Sequence, residues 1–448
     1  MNILHISQGV PPFRVGGLTR YCCDLMEQQI KAGHKVSLLY PGSFTIGKTR
    51  IKKEFHPDLK LYSIINPLPL ALVFGINEPS RYMQPSGSHC FEKFLRQGEY
   101  DMIHIHCIMG VHLEFFEVAK YLHIPMVMTT HDYYPFCIRC TFLDSKEELC
   151  SSPSGEQCRL CNVGKGLSRK KETLMQSKIY SKLKYSNVVA RIRNYSRKQL
   201  ECTKIYSSPT STNEEYDKLL KYNKSILNHI DLFHCNSELS KQIYQKYLPK
   251  AQYKVITITH ANMAPSPILH TKKEATGLNI GFMGGKGEAK GLSKLLEGLQ
   301  LINYEHKKNW QLYLYGADYN TFVSDERIHN CGKYAVNELG KIFANLDVVV
   351  MPSIWWETFG FVEAEALSYG VPVVVSNMVG AGILVEKFDR FLIYKANDEK
   401  ELGEKLLNFF ELDFYNMIAQ WVYKSHLVKT IEEHEKEINL MYKDLTEY

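Results

Sequence analysis

Two doubly wound α/β domains in tandem are the fold this sequence predicts, on three observations. Strand-like apolar runs alternate with amphipathic helical stretches up to about residue 130, the same rhythm restarts at NIGFMGG, and the pattern breaks between the two series. In such an alternation each helix carries the chain back across a sheet, so consecutive strands run parallel and helices cover them.

NILHIS opens the first series as a strand, LTRYCCDLMEQQIKAG follows as a helix and KVSLLYP as the next strand. DMIHIH and PMVMTTHD continue the strands, with HLEFFEVAKYLH as the helix between them. In the second series NIGFMGG, QLYLYG, DVVVMPS and PVVVSN are strands, separated by the helical stretches KLLEGLQLI, ELGKIFANL and GFVEAEALSYG. This places a first domain at 1–265, carrying an insertion over about 137–228, a second domain at 266–412 and a helical tail at 413–448. The polar link APSPILHTKKEAT introduces the second domain.

A chain of 448 residues with 45% hydrophobic content supplies a core for each domain. The 54 Lys and Arg against 48 Asp and Glu leave a net charge of +6, too mild for a nucleic-acid partner. No charged n-region with an apolar stretch follows Met1, and no apolar run reaches the ~18 residues of a membrane span. A cytoplasmic protein is expected, in peripheral contact with a membrane at most.

Twelve cysteines in such a chain read as reduced thiols. Five of them, Cys137, Cys140, Cys150, Cys158 and Cys161, cluster with a C-x-x-C pair at either end, the pattern of a metal clip. A loop of free thiols and a redox pair at Cys158 and Cys161 are the alternatives. The insertion then becomes basic: from Lys165 to Lys204 there are twelve Lys or Arg against two Glu. Leu174, Ile179, Tyr180, Leu183, Val188, Val189 and Ile192 are interleaved with these charges, the composition of an interfacial anchor on an anionic membrane. A solvated helical insertion has the same composition.

The most informative run is PSIWWETFGFVEAEALSYGVPVVVSN, residues 352–377. It reads as a loop after a strand, a helix opening near Phe361 and ending at Gly370, and a return to a strand. Amides around Thr358, Phe359, Gly360 and Phe361 then lie at a helix N-terminus, where orphan donors and the helix dipole favour an anion. Gly360 allows close backbone approach. Glu357 and Glu365, eight positions apart, offer two carboxylates suited to paired hydroxyls.

This E-x7-E pair, followed by ALSYGVPVVVS, resembles the nucleotide-sugar site of the retaining glycosyltransferases of family 4. That family has the GT-B fold, two Rossmann-like domains facing a central cleft. The resemblance implies that Glu357 contacts hydroxyls of the donor sugar, that the adjoining amides meet sugar and phosphate, and that Glu365 holds the ribose. In GFMGGKGEAKG, Lys290-Gly291 stands where the family's diphosphate-binding lysine lies. The family's commoner arginine is replaced by Gly285, with Lys286 beside it, either as a second positive charge or as a surface lysine.

In the first half, GVPPFRVGGLTRY resembles the family's first strand-to-helix loop, with Gly16 and Gly17 near donor phosphates and acceptor. His131 follows PMVMTT at a strand end, where open sheets bind ligands, and matches the family's active-site histidine. Asp132 orients that imidazole or caps the following turn. Some bacterial members share the HDYxxxC start with spaced cysteines, which nominates Cys137, Cys150, Cys158 and Cys161 as ligands of a structural zinc, with Cys140 extra. The tail would cross back onto the first domain, as the family's tails do.

No D-x-D occurs, so catalysis without a metal cofactor is expected. The implied reaction moves a sugar from a nucleotide-diphosphate sugar to a saccharide or lipid-linked acceptor with retention, in bacterial cell-surface polysaccharide synthesis. His131, Glu357 and Lys290 are the expected catalytic groups. A sugar-nucleotide epimerase would share the fold but release no nucleotide. A nicotinamide oxidoreductase would need G-x-G-x-x-G spacing that the first loop lacks. A non-catalytic carbohydrate-binding or membrane-scaffold protein would leave the glutamates and Lys290 unexplained together.

Overall fold

In a computed structural model the chain is described throughout except at residues 72–74, 163–168, 178–179, 181–210, 275–276, 307–308, 320–324 and 447–448. It divides into two compact units. The first comprises Met1–His234, Tyr247–Lys254 and Asn439–Tyr448, the second Cys235–Lys246 and Val255–Ile438. The boundary expected at 265 therefore falls inside the second unit. Two bonds draw residues 259–260 there: Thr259 Oγ1 donates to Lys429 O at 2.8 Å, and His260 Nε2 meets Glu365 Oε1 at 3.0 Å.

The first unit is built on eight strands: β1 (Asn2–Ile6), β2 (Lys35–Pro41), β3 (Arg50–Glu54), β4 (Lys60–Ile65), β5 (Met102–Ile105), β6 (Met126–Thr129), β7 (Leu232–Cys235) and β8 (Tyr253–Val255). Their order is β3-β4-β2-β1-β5-β6-β7-β8. The pairs from β4 through β7 are parallel, as the alternation predicts, and β3 alone runs antiparallel to β4. β3, RIKKE, carries no apolar run and exposes Arg50, Lys52 and Lys53, the charges that keep an edge strand from pairing further. The Gly17–Lys31 helix buries Cys22, Leu25, Met26 and Gln29 on one stripe at helical spacing. Cys22 and Met26 pack with Val36 and Leu38 of β2 and Leu61 of β4, each buried side chain being worth ~1.5–3 kcal/mol.

The second unit holds β9 (Leu278–Met283), β10 (Trp310–Tyr315), β11 (Ile328–Gly332), β12 (Val348–Met351), β13 (Val373–Ser376) and β14 (Ile393–Tyr394), all parallel, in the order β11-β10-β9-β12-β13-β14. Strand order reverses between β9 and β12, and a doubly wound sheet opens its ligand crevice at the carboxyl ends of such a pair. The loops leaving these two strands carry the GGKGEAKG and PSIWWETFG segments. Of the tail, the Leu412–Ser425 helix lies in the second unit, whereas the Ile431–Thr446 helix contributes its last turns, from Asn439, to the first.

Candidate active site

In the second unit the two loops are stitched together. After β9 the chain turns through Glu288–Lys290 to Gly291, whose φ of +72° is left-handed and whose added Cβ would lie 1.8 Å from Pro352 O. Only glycine fits there, and the fit lets Ile354 N donate to Ala289 O at 3.0 Å. The same approach brings Lys290 Nζ to 2.5 Å from Glu357 Oε1, while Ser353 Oγ donates to Glu357 Oε2 at 2.7 Å. Glu357 is clamped by its backbone as well, its N–H donating to Met378 O and its carbonyl accepting from Gly380 N. Two residues that sequence reasoning chose separately thus form one ion pair, and Ser353 is a partner it missed.

Gly360, with φ +119°, caps the Phe361–Ser368 helix, and an added Cβ there would meet Val379 Cγ1 at 2.8 Å. Thr358 and Phe359 are buried, with their carbonyls taken by Ser237 Oγ and Ala381 N. Glu365 is buried on the helix, and its partner is His260, another residue the motif did not reveal; Asn262 N donates to His260 Nδ1, leaving Nε2 to donate to the carboxylate. Gly285 and Lys286 lie exposed in the β9 loop. Glu363 was also missed. It is fully buried with no hydrogen-bond partner for either oxygen, and burial first, then the charge of Glu357, pushes its carboxyl well above the ordinary range.

In the first unit Gly16, at φ +134°, caps the Gly17–Lys31 helix after an exposed loop following β1, and Gly17 opens it. His131 sits two residues beyond β6 with its Nε2 3.2 Å from His106 Nδ1, and Tyr21 packs edge-on against its ring. Burial lowers His131 to about 3, so it is neutral at physiological pH. Asp132 Oδ1 accepts from Tyr134 N and caps the turn. Sequence reasoning missed that His131 ends a cluster: His5, His104, His106 and His234 are all buried beside it on strands β1, β5 and β7 or at their ends. A polar residue inside an apolar parallel strand was the available signal. Among the described residues, His5, Cys22 and His106 place ligand atoms within 4.8 Å of one another. Ring nitrogens of the two histidines are, however, bonded to each other at 2.9 Å, so hydrogen bonding accounts for the group.

Cys137, Cys150, Cys158 and Cys161 line one cavity of about 20 Å³, room for a single ion, while Cys140 does not line it. Amides of Phe142, Arg139 and Thr141 donate toward the Cys137 sulfur, opposing the upward push of burial on its thiol. The donor set suits zinc, although no three of these sulfurs approach within 4.8 Å of one another. Gly155 N and Arg159 Nε anchor the Gly155–Asn162 helix to Asp217 and Asn213 of the Asn213–Leu227 helix, both at 2.6 Å. Of the basic segment, Glu172 is buried against Arg81 and Tyr82, with Lys170, Lys171 and Leu174 exposed beside it. Lys178, Ile179, Lys182, Leu183, Val188, Val189 and Ile192 lie outside the described residues. Among the described residues no helix is long and apolar enough to cross a membrane.

Family models match both halves of the chain: group 1 glycosyl transferases over residues 277–411 and glycosyltransferase family 4 over residues 15–154. The chain belongs to the family 4-like glycosyltransferases. Solved structures with the same GT-B fold include sucrose-phosphate synthase from Thermosynechococcus elongatus, at 15% identity and TM-score 0.58, covering 99% of this chain and 98% of that one. The Burkholderia xenovorans trehalose-phosphate synthase in complex with glucose-6-phosphate matches at 12% identity and TM-score 0.58, covering 99% and 100%. Anabaena HepE in complex with UDP and glucose matches at 15% and 0.55, again over 99% and 100%. An uncharacterized 41.2 kDa protein in the cps region of Klebsiella pneumoniae is 28% identical over 33% of this glycosyltransferase, which spans 47% of its relative's length.

Proposed function

We propose that this family 4-like glycosyltransferase moves a sugar from a nucleotide-diphosphate sugar to a saccharide or lipid-linked acceptor, with retention and without a catalytic metal, in cell-surface polysaccharide synthesis. The observation that carries the reading is the Lys290–Glu357 pair at 2.5 Å, held at the carboxyl ends of β9 and β12. Glu357 accepts hydrogen bonds from donor-sugar hydroxyls, and the amides at the start of the Phe361–Ser368 helix take the phosphates. Lys290 neutralises charge on the diphosphate as the C1–O bond breaks and its electron pair leaves with the nucleotide. The acceptor hydroxyl attacks C1 from the same face and gives its proton to the departing diphosphate. His131 bonds a sugar hydroxyl as a neutral imidazole, and Glu365, already tied to His260, has the ribose as its further partner. The cps-region relative and the UDP bound to HepE support the choice of pathway and donor.

Cys137, Cys150, Cys158 and Cys161 would hold a zinc ion with structural function only, four thiolates leaving no open position for chemistry. A metal-to-protein ratio near one in protein purified without chelator is expected, and a ratio near zero sinks the assignment. The basic segment would place the enzyme against anionic lipid; unchanged liposome binding after neutralising Lys170, Lys171, Lys178 and Lys182 counts against that. The transfer itself is tested by nucleotide release from a panel of UDP-, GDP- and ADP-sugars with chelator present. Slow release from one donor, lost in Glu357→Ala by about 10²–10³-fold, supports the reading. Silence across the panel, without nucleotide-sugar binding, overturns it.

A further inference from the structure

Five histidines of the first unit, His5, His104, His106, His131 and His234, are joined, with one glutamine, one tyrosine and one threonine, into a single hydrogen-bonded chain. From His131 it runs by His106 Nδ1 at 3.2 Å, then from His106 Nε2 to His5 Nδ1 at 2.9 Å, and from His5 Nε2 to Gln29 Oε1 at 2.7 Å. Beyond the glutamine, Gln29 Nε2 donates to Tyr442 OH at 3.3 Å, Tyr442 OH meets His104 Nδ1 at 2.5 Å, His104 Nε2 meets Thr129 Oγ1 at 2.7 Å, and Thr129 Oγ1 meets His234 Nδ1 at 2.9 Å. All eight side chains are buried or nearly so, and Tyr442 comes from the last turns of the C-terminal helix.

A neutral imidazole has one donor and one acceptor nitrogen, so each link dictates the next. Gln29 is the one member with separate donor and acceptor atoms, and it points its carbonyl oxygen at His5 and its NH2 at Tyr442. His5 must therefore donate from Nε2 and accept at Nδ1. His106 then donates from Nε2 to His5 and accepts at Nδ1, which requires His131 to carry its proton on Nε2. On the other side Tyr442, having accepted from Gln29, donates to His104, which donates to Thr129, which donates to His234. Every donor finds an acceptor, and rotating the Gln29 amide by half a turn would reverse every link.

We infer that Gln29 and Tyr442 are positioning residues for the transfer reaction, which fix His131 as the Nε2–H tautomer and so present its Nδ1 as a hydrogen-bond acceptor for a substrate hydroxyl. The last clause rests on the active-site reading of His131; the tautomer does not. Burial, which lowers His5 to about 4 and His131 to about 3 and drives His106 down as well, keeps the chain neutral.

Nitrogen-15 NMR of histidine-labelled, substrate-free enzyme reads each tautomer directly. His5, His106 and His131 are expected as Nε2–H in the wild type. In Tyr442→Phe the Gln29 amide loses the partner that orients it, and a mixture of tautomers at His131 is expected. There and in Gln29→Leu, kcat should fall by about tenfold to 10²-fold with donor KM unchanged, up to the lower end of what a general acid–base group contributes. Gln29→Glu, which still accepts from His5, should restore both the tautomer and most of kcat. A wild-type His131 protonated on Nδ1 overturns the inference even if no variant folds, as does an unchanged tautomer with unchanged kcat in both Tyr442→Phe and Gln29→Leu. If the tautomers are as expected but no donor is turned over, the transfer reading fails and the chain stands.

Discussion

The two sites described, one in each unit, handle charge in opposite ways. In the second, charge is kept and neutralised locally: Lys290 meets Glu357 at the mouth of two loops, within reach of solvent. In the first, charge is suppressed, because five histidines are linked by hydrogen bonds, directly or through Gln29, Tyr442 and Thr129, and burial holds His5, His106 and His131 neutral. An ion pair at a loop mouth can be parted by an incoming phosphate, whereas a neutral chain in a core cannot be entered by solvent. The first arrangement suits binding a charged ligand, the second suits holding one ring in one state.

Acid should separate the units most strongly. Each of the three histidines has a folded pKa below its unfolded value near 6.5, so unfolding takes up protons as pH falls below that value. Stability then declines by ~1.4 kcal/mol per pH unit per histidine, until the native groups titrate near 4 for His5 and near 3 for His131. Denaturant melts between pH 7.5 and 5, followed by hydrogen exchange, should show β1, β5 and β6 of the first unit failing before β9 and β12. Equal loss in both units would erase the contrast between them.

In the second unit Gly291→Ala tests the stitching. With φ at +72° and Pro352 O in the path of the new Cβ, the turn must shift, at ~1–3 kcal/mol, and carry Lys290 away from Glu357. Donor affinity measured by calorimetry should drop in proportion while the first unit melts unchanged. The same unit holds a second test at Glu363. Its folded pKa is raised, so above about pH 4.5 the unfolded chain releases a proton that the native state keeps, and stability falls with pH. Glu363→Gln removes that dependence. Its melting temperature relative to wild type should rise from pH 5 to pH 8, and a parallel pair of curves would mean that Glu363 is ionised in the fold.

Legibility differed between the units for a physical reason. Glu357, Gly360 and Lys290 lie in loops whose chemistry depends on short-range spacing, and the E-x7-E and lysine–glycine segments carried enough of it to be read. What pairs with them was not readable: His260 lies 105 residues before Glu365, and no local pattern ties the two. The cysteine cluster was readable as spacing, and its four sulfurs do share a cavity, but the Asn213–Leu227 helix on which it docks was not. His104 and His106 stand in plain view in DMIHIH, yet a strand assigned on apolar content treats them as interruptions.

By itself, then, the sequence determined the alternation of strands and helices, the parallel sheets that follow from it and the loop segments at the ends of β9, β12 and β6. Those depend on local periodicity and on residues a few positions apart. The edge pairing of β3, the union of Lys290 with Glu357, the capture of Glu365 by His260 and the closure of a histidine chain by Tyr442 were decided by tertiary structure alone. Each depends on groups separated by tens to hundreds of residues, up to 413 between Gln29 and Tyr442, and whether a histidine is a base, a ligand or a link is set by the atom that packing brings to its other nitrogen.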